Sequence, residues 1–161
     1  MEKCSFTGHR IISQCHEGAL RDLLQRAIDY AYSEGCRSFF CGGAIGFDML
    51  AARAVLLKRM RNPDIRLVIV APCRDQDATW GERDKASYEF ILSEADEIIY
   101  VSDGYSSDCL RKRNMKLAEL CDIMIAFSGN DRSGSAQTVR MAQKLGKMVY
   151  NLFPTVNKSR K

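Results

Sequence analysis

The sequence predicts an α/β fold: a Rossmann-like, three-layer α/β/α sandwich around a mainly parallel sheet of about six strands. Short apolar runs alternate with longer segments of helical periodicity, as in parallel sheets with helices on both faces. The runs LVIVA and IMIAF are apolar at every position, which is typical of strands covered on both faces. The chain has 161 residues, 46% of them hydrophobic, so it can bury a sizeable core.

Six apolar runs are predicted to be strands. In chain order they are Cys4–Thr7, Ser38–Cys41, Leu67–Ala71, Glu97–Val101, Ile123–Phe127 and Met148–Leu152. Helical periodicity fills the five intervals between them. The second helix is predicted from about Gly46 to Arg61, and a Thr79-x-x-Glu82 pattern predicts a capping box at the third.

Length and composition favour a compact protein that stays out of membranes. We expect one domain over residues 1–153 and a basic, flexible C-terminal tail over 154–161. The net charge of +4 suits an anionic ligand but does not by itself indicate nucleic acid. Seven cysteines without CxxC spacing indicate a reducing compartment, and two histidines make a zinc site unexpected. No signal peptide or apolar run of ~18 residues is recognised, so we expect a cytoplasmic protein without metal or membrane partner.

Five loops are predicted to share one rim of the sheet, because parallel strands end at the same edge. They span residues 7–10, 41–48, 71–80, 102–108 and 128–136. These loops contain most of the glycines and many small polar residues, whereas the opposite connections look like ordinary turns. Ligands bind beyond the carboxyl ends of the strands in such folds, so the rim is the predicted ligand site.

The stretch GGAIGFD, residues 42–48, places three glycines and an acid at a predicted helix start. Gly42, Gly43 and Gly46 would let the backbone approach a phosphate, and the helix start would direct N–H groups at it. The GGxxG spacing does not meet the dinucleotide pattern GxGxxG. Asp48 either complements the helix dipole or bonds a sugar hydroxyl. A tight turn without a ligand is the alternative.

Two further groups of polar residues follow strands or interrupt helices. Thr7, Gly8, His9 and Arg10 end the first strand, where Arg10 can hold a phosphate or carboxylate and His9 can act as acid or base. A simple glycine turn is the alternative. Asn114 interrupts the apolar stripe of the fourth helix next to Arg113, so its amide needs a partner, either a loop or a ligand.

The last rim loop repeats the arrangement of the second. Small residues precede a helix start that can bind an anion, and Ser133, Gly134, Ser135 and Thr138 are the candidates. The alternative is that Ser135 only caps the helix. Two such loops on one rim favour a site that holds two parts of one nucleotide-like ligand.

Together these motifs resemble the SLOG superfamily, specifically its small YpsA-like branch of uncharacterised proteins, over nearly the whole chain. The markers are TGHR, GGAIGFDMLAA, DQDATW followed by YEFIL, RKRN and GSAQTV. The resemblance implies a Rossmann-like fold and a nucleotide, ADP-ribose or NAD-like ligand. It adds Gln76 and Trp80 of DQDATW to the candidate ligand-binding residues. LOG-type members of the superfamily suggest a homodimer.

The LOG-type phosphoribohydrolases also suggest roles for individual residues. A segment of those enzymes that is similar to CLRKRNMK has a substrate-binding arginine, which points to Arg113. Their PGGxGTxxE loop corresponds best to Gly134–Met141, where Thr138 matches the family threonine. Arg140 and Met141 stand where those enzymes have acids, including the catalytic glutamate. This departure argues against N-glycosidic hydrolysis, whose transition state gains from a nearby carboxylate.

Three functions stay open at the level of sequence, and whether the protein is an enzyme is undecided. The favoured one is a nucleotide-binding sensor or regulatory module. The second is an N-glycosidic hydrolase of the nucleoside-monophosphate phosphoribohydrolase or NAD-glycohydrolase type, with Asp48, His9 and Glu82 as candidate catalytic residues. The third is single-stranded DNA binding, as in DNA-processing relatives, which favours a basic groove with aromatic platforms.

Overall fold

The computed structural model describes residues 2–129 and 131–158. Its strands are Lys3–Gly8 (β1), Ser38–Cys41 (β2), Arg66–Ala71 (β3), Glu97–Tyr100 (β4), Ile123–Phe127 (β5) and Met148–Asn151 (β6). Its helices are Gln14–Ser33 (α1), Phe47–Arg61 (α2), Glu82–Glu94 (α3), Cys109–Leu120 (α4), Gly134–Lys144 (α5) and Phe153–Lys158 (α6). Each predicted strand is present, with its ends shifted by at most one residue.

The six strands form one parallel sheet in the order β4-β3-β2-β1-β5-β6. The predicted fold class is therefore confirmed. Right-handed crossovers that run towards β4 and towards β6 place their helices on opposite faces. Accordingly, α2 packs between α1 and α3 on one face, while α4 and α5 pack together on the other.

The main core lies between the sheet and the layer of α1, α2 and α3. Phe6 of β1 stacks on Phe39 of β2, with ring centroids 6.2 Å apart. Phe47, at the start of α2, is fully buried and stacks on Phe127 of β5 at 6.0 Å. The aromatic packing thus fixes the start of α2 over the carboxyl ends of the central strands.

All six strands are parallel, but the order in which successive strands are added to the sheet reverses between β1 and β5, in the middle of the sheet. The chain leaves β1 towards β2 and leaves β5 towards β6, so the two loops part at this point. Such a topological switch point is where open parallel sheets leave a crevice for ligands.

Two local predictions differ from the structure. Gly81, not Thr79, precedes α3, and no side chain caps that helix, so the predicted capping box is wrong. The tail that was expected to be flexible from residue 154 is helical over Phe153–Lys158, with Val156 buried to 1% exposure. Tertiary packing of Val156 stabilises this short segment despite its polar composition. Residues 159–161 of the predicted tail lie outside the described residues.

The length and composition of the helices also determine whether they can cross a membrane. Within residues 2–129 and 131–158, no helix combines the length and the apolar character needed to span a bilayer.

Candidate ligand site at the carboxyl ends of the strands

Three loops meet around His9, at the end of β1. Its carbonyl oxygen accepts the N–H of Phe47, the first residue of α2, at 3.0 Å. Its Nε2 accepts the N–H of Gly129, just after β5, at 2.9 Å. Its Nδ1 lies 3.4 Å from Ser135 Oγ in the first turn of α5. One residue therefore contacts the starts of both α2 and α5.

The hydrogen bonds of His9 define its tautomer. Because Nε2 accepts a backbone N–H, the neutral ring has its proton on Nδ1, which donates to Ser135 Oγ. Ser135 Oγ in turn donates to Ser128 Oγ at 3.2 Å. Asp131 Oδ2 lies 3.9 Å from His9 Nε2. His9 thus holds neighbouring loops together in this structure. Its Nε2 could act as a general acid or base only if the hydrogen bond from the Gly129 N–H were lost.

The loop between β2 and α2 passes very close to the loop after β1. Gly46 has φ +90°, and a Cβ atom there would overlap the carbonyl group of Arg10. A Cβ atom at Gly8 would likewise overlap the ring of Phe47. Packing between loops therefore accounts for both glycines, and no ligand is needed to explain them.

Two buried side chains of opposite charge lie near the β2–α2 loop, Asp48 in the first turn of α2 and Arg113 in α4. Asp48 is 6% exposed and Arg113 is 5% exposed. Asp48 Oδ2 accepts the N–H of Ala44 at 3.2 Å, and Arg113 Nη1 donates to the carbonyl oxygen of Gly42 at 2.9 Å. A Cβ atom at Gly42 would lie 2.6 Å from Arg113 Nη1 and 2.8 Å from Asp48 Oδ2. The missing side chain at Gly42 thus lets both charged groups approach.

Burial and mutual attraction act in opposite directions on these groups. Burial raises the pKa of Asp48, while the positive charges of Arg113 and Arg10 act to lower it. Burial lowers the pKa of Arg113, and the negative charge of Asp48 opposes that change. Arg10 is exposed at the rim. Two guanidinium groups thus act on the carboxyl group of Asp48, while the carboxylate of Asp131 lies on the His9 side of the rim.

Asn114 links α4 to the start of α5. Its Oδ1 accepts a hydrogen bond from Arg113 Nε at 2.9 Å. Its Nδ2 lies 3.6 Å from the position that a Cβ atom would take at Gly134. Of the two predicted kinds of partner, the structure provides a protein contact through Oδ1 and directs the amide NH₂ towards α5.

Ser133 caps α5, because its Oγ accepts the N–H of Ala136 at 3.2 Å. The alternative prediction that Ser135 caps the helix is therefore wrong. Ser135 lies in the first turn of α5, where its hydroxyl group contacts His9. Thr138 is fully buried and donates from Oγ1 to the carbonyl oxygen of Gly134 at 2.8 Å. Its hydroxyl is thus used within the helix.

The loop after β3 reaches the site through Gln76. Its Nε2 donates to the carbonyl oxygen of Gly42 at 3.2 Å, so Gly42 also receives this second donor. Trp80 packs edge-on against Tyr88, with ring centroids 5.3 Å apart, and contributes to the core. Glu82 is exposed in the first turn of α3. Among the described residues, its side chain forms no hydrogen bond or ion pair.

Two grooves lie away from these loops. One, of about 720 Å³, lies between α1, α2 and α3, and the other, of about 600 Å³, lies beside β4 and α4. The candidate site is instead the place at the sheet edge where the loops after β1, β2 and β5 meet. In the described part of the chain, no three His, Cys, Asp or Glu side chains cluster closely enough to hold a metal ion.

Comparison with known proteins identifies the family. A family model described as the YspA SLOG family matches residues 13–153. The chain belongs to this family. The resemblance to the SLOG superfamily, and to its YpsA-like branch, is thereby confirmed.

Relatives of this SLOG protein occur in Bacillus. It is 28% identical over 153 residues to the uncharacterized SPbeta prophage-derived protein YoqJ of Bacillus subtilis strain 168, with 86% of this chain and 90% of YoqJ covered. It is 26% identical over 134 residues to a UPF0398 protein of Bacillus cereus strain G9842, with 81% and 73% covered.

Solved structures share the SLOG fold at lower identity. DNA processing protein A from Helicobacter pylori, whose single-stranded DNA binding mode has been described, superposes with a TM-score of 0.66 at 20% identity. DNA processing protein A from Streptococcus pneumoniae superposes with a TM-score of 0.65 at 19% identity. The chain is 92% and 93% covered but spans only 63% and 50% of those proteins. At these identities the likeness shows the fold alone.

The SLOG fold brings most of the predicted ligand residues together. Around the crevice and its β2 side lie His9, Arg10, Gly42, Gly43, Gly46, Asp48, Gln76, Arg113, Asn114, Ser133, Gly134 and Ser135. Interior packing positions are occupied by Thr7, Gly8, Trp80 and Thr138. Glu82 stands apart, exposed at the start of α3.

Two features of the site escaped the sequence analysis. Ser128 and Gly129 complete the network of His9, although only their position after a predicted strand distinguished them. Tyr88 looked like a core residue on an apolar helix face, and its ring does pack there. The available signal was the hydroxyl group of Tyr88, because phenylalanine would fill the same apolar position without a buried polar atom.

Proposed function

We propose that this protein is a nucleotide-binding module, a sensor or regulator, that holds the phosphate of a nucleotide or nucleotide derivative in the crevice between β1 and β5. The observation that carries the proposal is the meeting of α2 and α5 at His9. The Phe47 N–H already bonds His9 and the Ala136 N–H already bonds Ser133, so the other N–H groups of each first turn and the positive dipole end are what an anion could use. Both helix starts lie at the switch point of the sheet, where such ligands bind.

The charges around the crevice support an anionic ligand. Arg10 is exposed, and among the described residues its guanidinium forms no ion pair. A guanidinium can donate two parallel hydrogen bonds to a phosphate. Asp48 and Asp131 are both near the site, so the support for an anion comes from the unpaired guanidinium of Arg10 and not from a net positive charge.

The buried charges support a functional use of the same place. Asp48 and Arg113 are both buried but form no direct salt bridge, and removing two charges from water costs free energy that their attraction offsets only in part. Asp48 lies in the first turn of α2, at the edge of the crevice. A carboxylate there suits a hydrogen bond from a sugar hydroxyl of the bound nucleotide.

A thermal-unfolding panel tests the proposal. We expect ADP-ribose, AMP or NAD to raise the melting temperature with increasing concentration, and inorganic phosphate to do so weakly. Arg10→Ala should abolish the shift, since it removes the exposed guanidinium without disturbing the core. Arg61→Ala, an exposed arginine at the other end of α2, is the matched control and should retain it. No shift with any phosphate compound would contradict the proposal.

Hydrolysis of the base–ribose bond is a second candidate function, supported by Asp48. Its buried carboxyl has a raised pKa, a property common among catalytic acids. Release of free base from AMP or NAD, lost in Asp48→Asn while binding persists, would establish it. Binding without base release would favour the regulatory module.

Single-stranded DNA binding is a third candidate, supported by the groove beside β4. Arg111, Lys112 and Lys116 of α4 line it together with Tyr100. Basic residues beside an aromatic ring suit a single strand. The affinity for an oligonucleotide should then fall steeply with salt and drop in Arg111→Ala, whereas Arg10→Ala should have less effect.

A further inference from the structure

Tyr88 in α3 has a buried hydroxyl group for which no described residue provides a hydrogen bond of good geometry. The side chain is only 1% exposed. Burial raises the pKa of Tyr88 to about 12, although hydrogen bonding to the Gln76 side chain acts to lower it, so the phenol is neutral and can donate its proton. An unpaired buried hydroxyl costs folding free energy, whereas phenylalanine would fill the same space without that cost. The presence of tyrosine therefore needs a reason other than packing.

The hydroxyl-bearing ring lies against the β2–α2 loop of the candidate site. A Cβ atom at Gly43, which has φ +71°, would lie 2.9 Å from Tyr88 Cε1 and 3.5 Å from Gln76 Nε2. The neighbouring Gly42 carbonyl oxygen accepts hydrogen bonds from Gln76 and from Arg113. Tyr88 thus adjoins the same loop as the buried charges, on the side away from β5.

Gln76 connects this buried hydroxyl with the surface of the rim. Its side chain is half-buried, and its Nε2 is used by Gly42 while its Oε1 remains an acceptor. Tyr88 Oη can both donate and accept. A ligand hydroxyl also does both, so the pair matches the sugar hydroxyls of a nucleotide.

We propose that Tyr88 and Gln76 form a second part of the ligand site, which binds the ribose hydroxyls of a nucleotide whose phosphate lies between β1 and β5. This proposal rests on the function proposed above. Neighbouring strands are about 4.8 Å apart, so the two parts are separated by one or two strand spacings, roughly 5–10 Å. One nucleotide spans that separation. The ribose hydroxyl enters beside Gly43, where the Gln76 amide now lies.

Tyr88→Phe separates a binding role from a structural one. We expect the variant to raise the melting temperature of the ligand-free protein, because it removes the unpaired hydroxyl. We expect its affinity for ADP to fall about tenfold, the loss of one hydrogen bond. Affinity for pyrophosphate and for 2′,3′-dideoxy-ADP, which lack the ribose hydroxyls, should stay unchanged.

Tyr150→Phe is the matched control, because its hydroxyl donates to Tyr30 Oη at 3.0 Å, outside the site. It should not raise the melting temperature and should leave ADP affinity unchanged. If Tyr88→Phe instead destabilises the free protein and binds ADP as the wild type does, the hydroxyl serves the fold and the proposal fails. Wild-type binding of pyrophosphate in that case would leave the phosphate site standing. If the wild type binds neither pyrophosphate nor ADP, both proposals fail.

A different surface carries a second inference. The groove of about 720 Å³ between α1, α2 and α3 has apolar walls that include Leu24 and Leu50. Beside it, Leu57, Met60 and Phe90 are 59%, 81% and 46% exposed. Apolar side chains that project next to an apolar groove can fit a copy of the same surface. Contiguous exposed apolar patches of this kind mark interaction sites.

The groove is lined by charges of both signs, so the groove of one copy can face opposite charges in the groove of a second copy. Arg59 is paired with Glu94 at 3.3 Å, and Arg21 is paired outside the groove. Among the described residues, the lining charges without an ion pair are Asp22 of α1 and Arg53 of α2. A twofold axis places residue i of one copy opposite residue j of the other, and the reverse. An interface that placed Asp22 of one copy opposite Arg53 of the other would therefore contain that contact twice.

We infer that a second copy of the chain packs on this face as a symmetric dimer. Sedimentation analysis over a range of concentrations should find a dimer. Asp22→Arg and Arg53→Asp should each weaken it, and the double variant should restore it, because the charges are exchanged. Met60→Lys should give a folded monomer. A monomeric wild type, or a dimer that none of these changes affects, would overturn the inference.

Discussion

Connections at the amino ends of the strands are closed by contacts within each turn and by exposed links such as that of Glu2 with Asp122, whereas the carboxyl-end segments after β1 and β5 are joined through partly buried side chains. At the amino end, the N–H of Cys36 bonds the carbonyl oxygen of Ala31 at 2.9 Å, and Lys147 bonds Ala142 in the same way at 3.0 Å. At the carboxyl end, His9 accepts from Gly129, 120 residues away in sequence. The carboxyl end therefore depends on the whole sheet being assembled.

The two ends also differ in what they bury. Among the described residues, the charged side chains in the buried class are Asp48 of α2 and Arg113 of α4, and both lie next to Gly42 in a carboxyl-end loop. Charged pairs at the amino end, such as Arg66 and Glu97, are about half exposed. Connecting a strand to a helix does not require a buried charge. The buried charges at the carboxyl end are therefore not explained by stability alone, and such departures are common at functional sites.

The largest effect should come from the buried charges. Arg113→Met removes the positive charge that favours ionised Asp48 and the hydrogen bond to the Gly42 carbonyl oxygen, so we expect a loss of about 1–3 kcal/mol in the free energy of unfolding at pH 7. Arg66→Met at the amino end removes an exposed pair and should cost less than about 1 kcal/mol. Urea denaturation measures both. The loss in Arg113→Met should shrink in acid as Asp48 becomes protonated, and equal losses in the two variants would remove the contrast.

Two glycines at positive φ separate backbone strain from close approach. Gly46 has φ +90° with the Arg10 carbonyl group against it, whereas Gly146 in the turn before β6 has φ +76° and open space around it. Gly146→Ala should cost about 1–2 kcal/mol through strain alone. Gly46→Ala should cost more, because the loops must also move apart. Thermal unfolding would refute the distinction if both substitutions cost the same.

The cap of α5 should have a smaller, local effect. Ser133→Ala removes the acceptor for the Ala136 N–H and should cost about 1 kcal/mol in the free energy of unfolding. Thr79→Ala, at a position that sequence alone marks as a cap, should change it by less than about 0.5 kcal/mol. A larger loss at Thr79 would mean that α3 does use that cap in solution.

The smallest effect should lie at the amino end and depend on pH. Backbone N–H groups of Glu2 and Lys3, at 2.9 and 3.1 Å from Asp122 Oδ2, lower the pKa of Asp122 below its usual 3.8. Its contribution to stability is therefore present above pH 3.8 and is lost as the pH falls further. Asp122→Asn should be less stable than the wild type at neutral pH. The difference should vanish in strong acid, and a gap that persists there would exclude this origin.

The fold was predictable because its signals are local in sequence. Unbroken apolar runs such as Leu67–Ala71 and Ile123–Phe127 define strands, and their alternation with helices implies a parallel sheet. The rim followed from that same rule of topology. The strand order could not be predicted from local patterns, because it depends on contacts between segments far apart in sequence. That order places β1 beside β5 and brings His9 to Gly129.

Side-chain partners were less predictable than backbone elements. Several serines precede α5, and only the path of the loop selects Ser133 as the cap and leaves Ser135 for His9. The proximity of Arg113 to Asp48 depends on how α4 crosses the opposite face of the sheet. The buried position of Val156 overrides a polar local composition that favours a frayed tail.

The central position of β1 has a consequence for how the protein is made. The strand nearest the amino terminus pairs with β5, so its second edge stays open until the ribosome has produced residues 123–127. Chains grow at about 5–20 residues per second, so β1 to β4 can associate seconds before this partner arrives. During that interval the unpaired edge of β1 is exposed to other nascent chains. Closure of the sheet and appearance of the crevice are then one late event, and an incomplete chain that lacks β5 has neither.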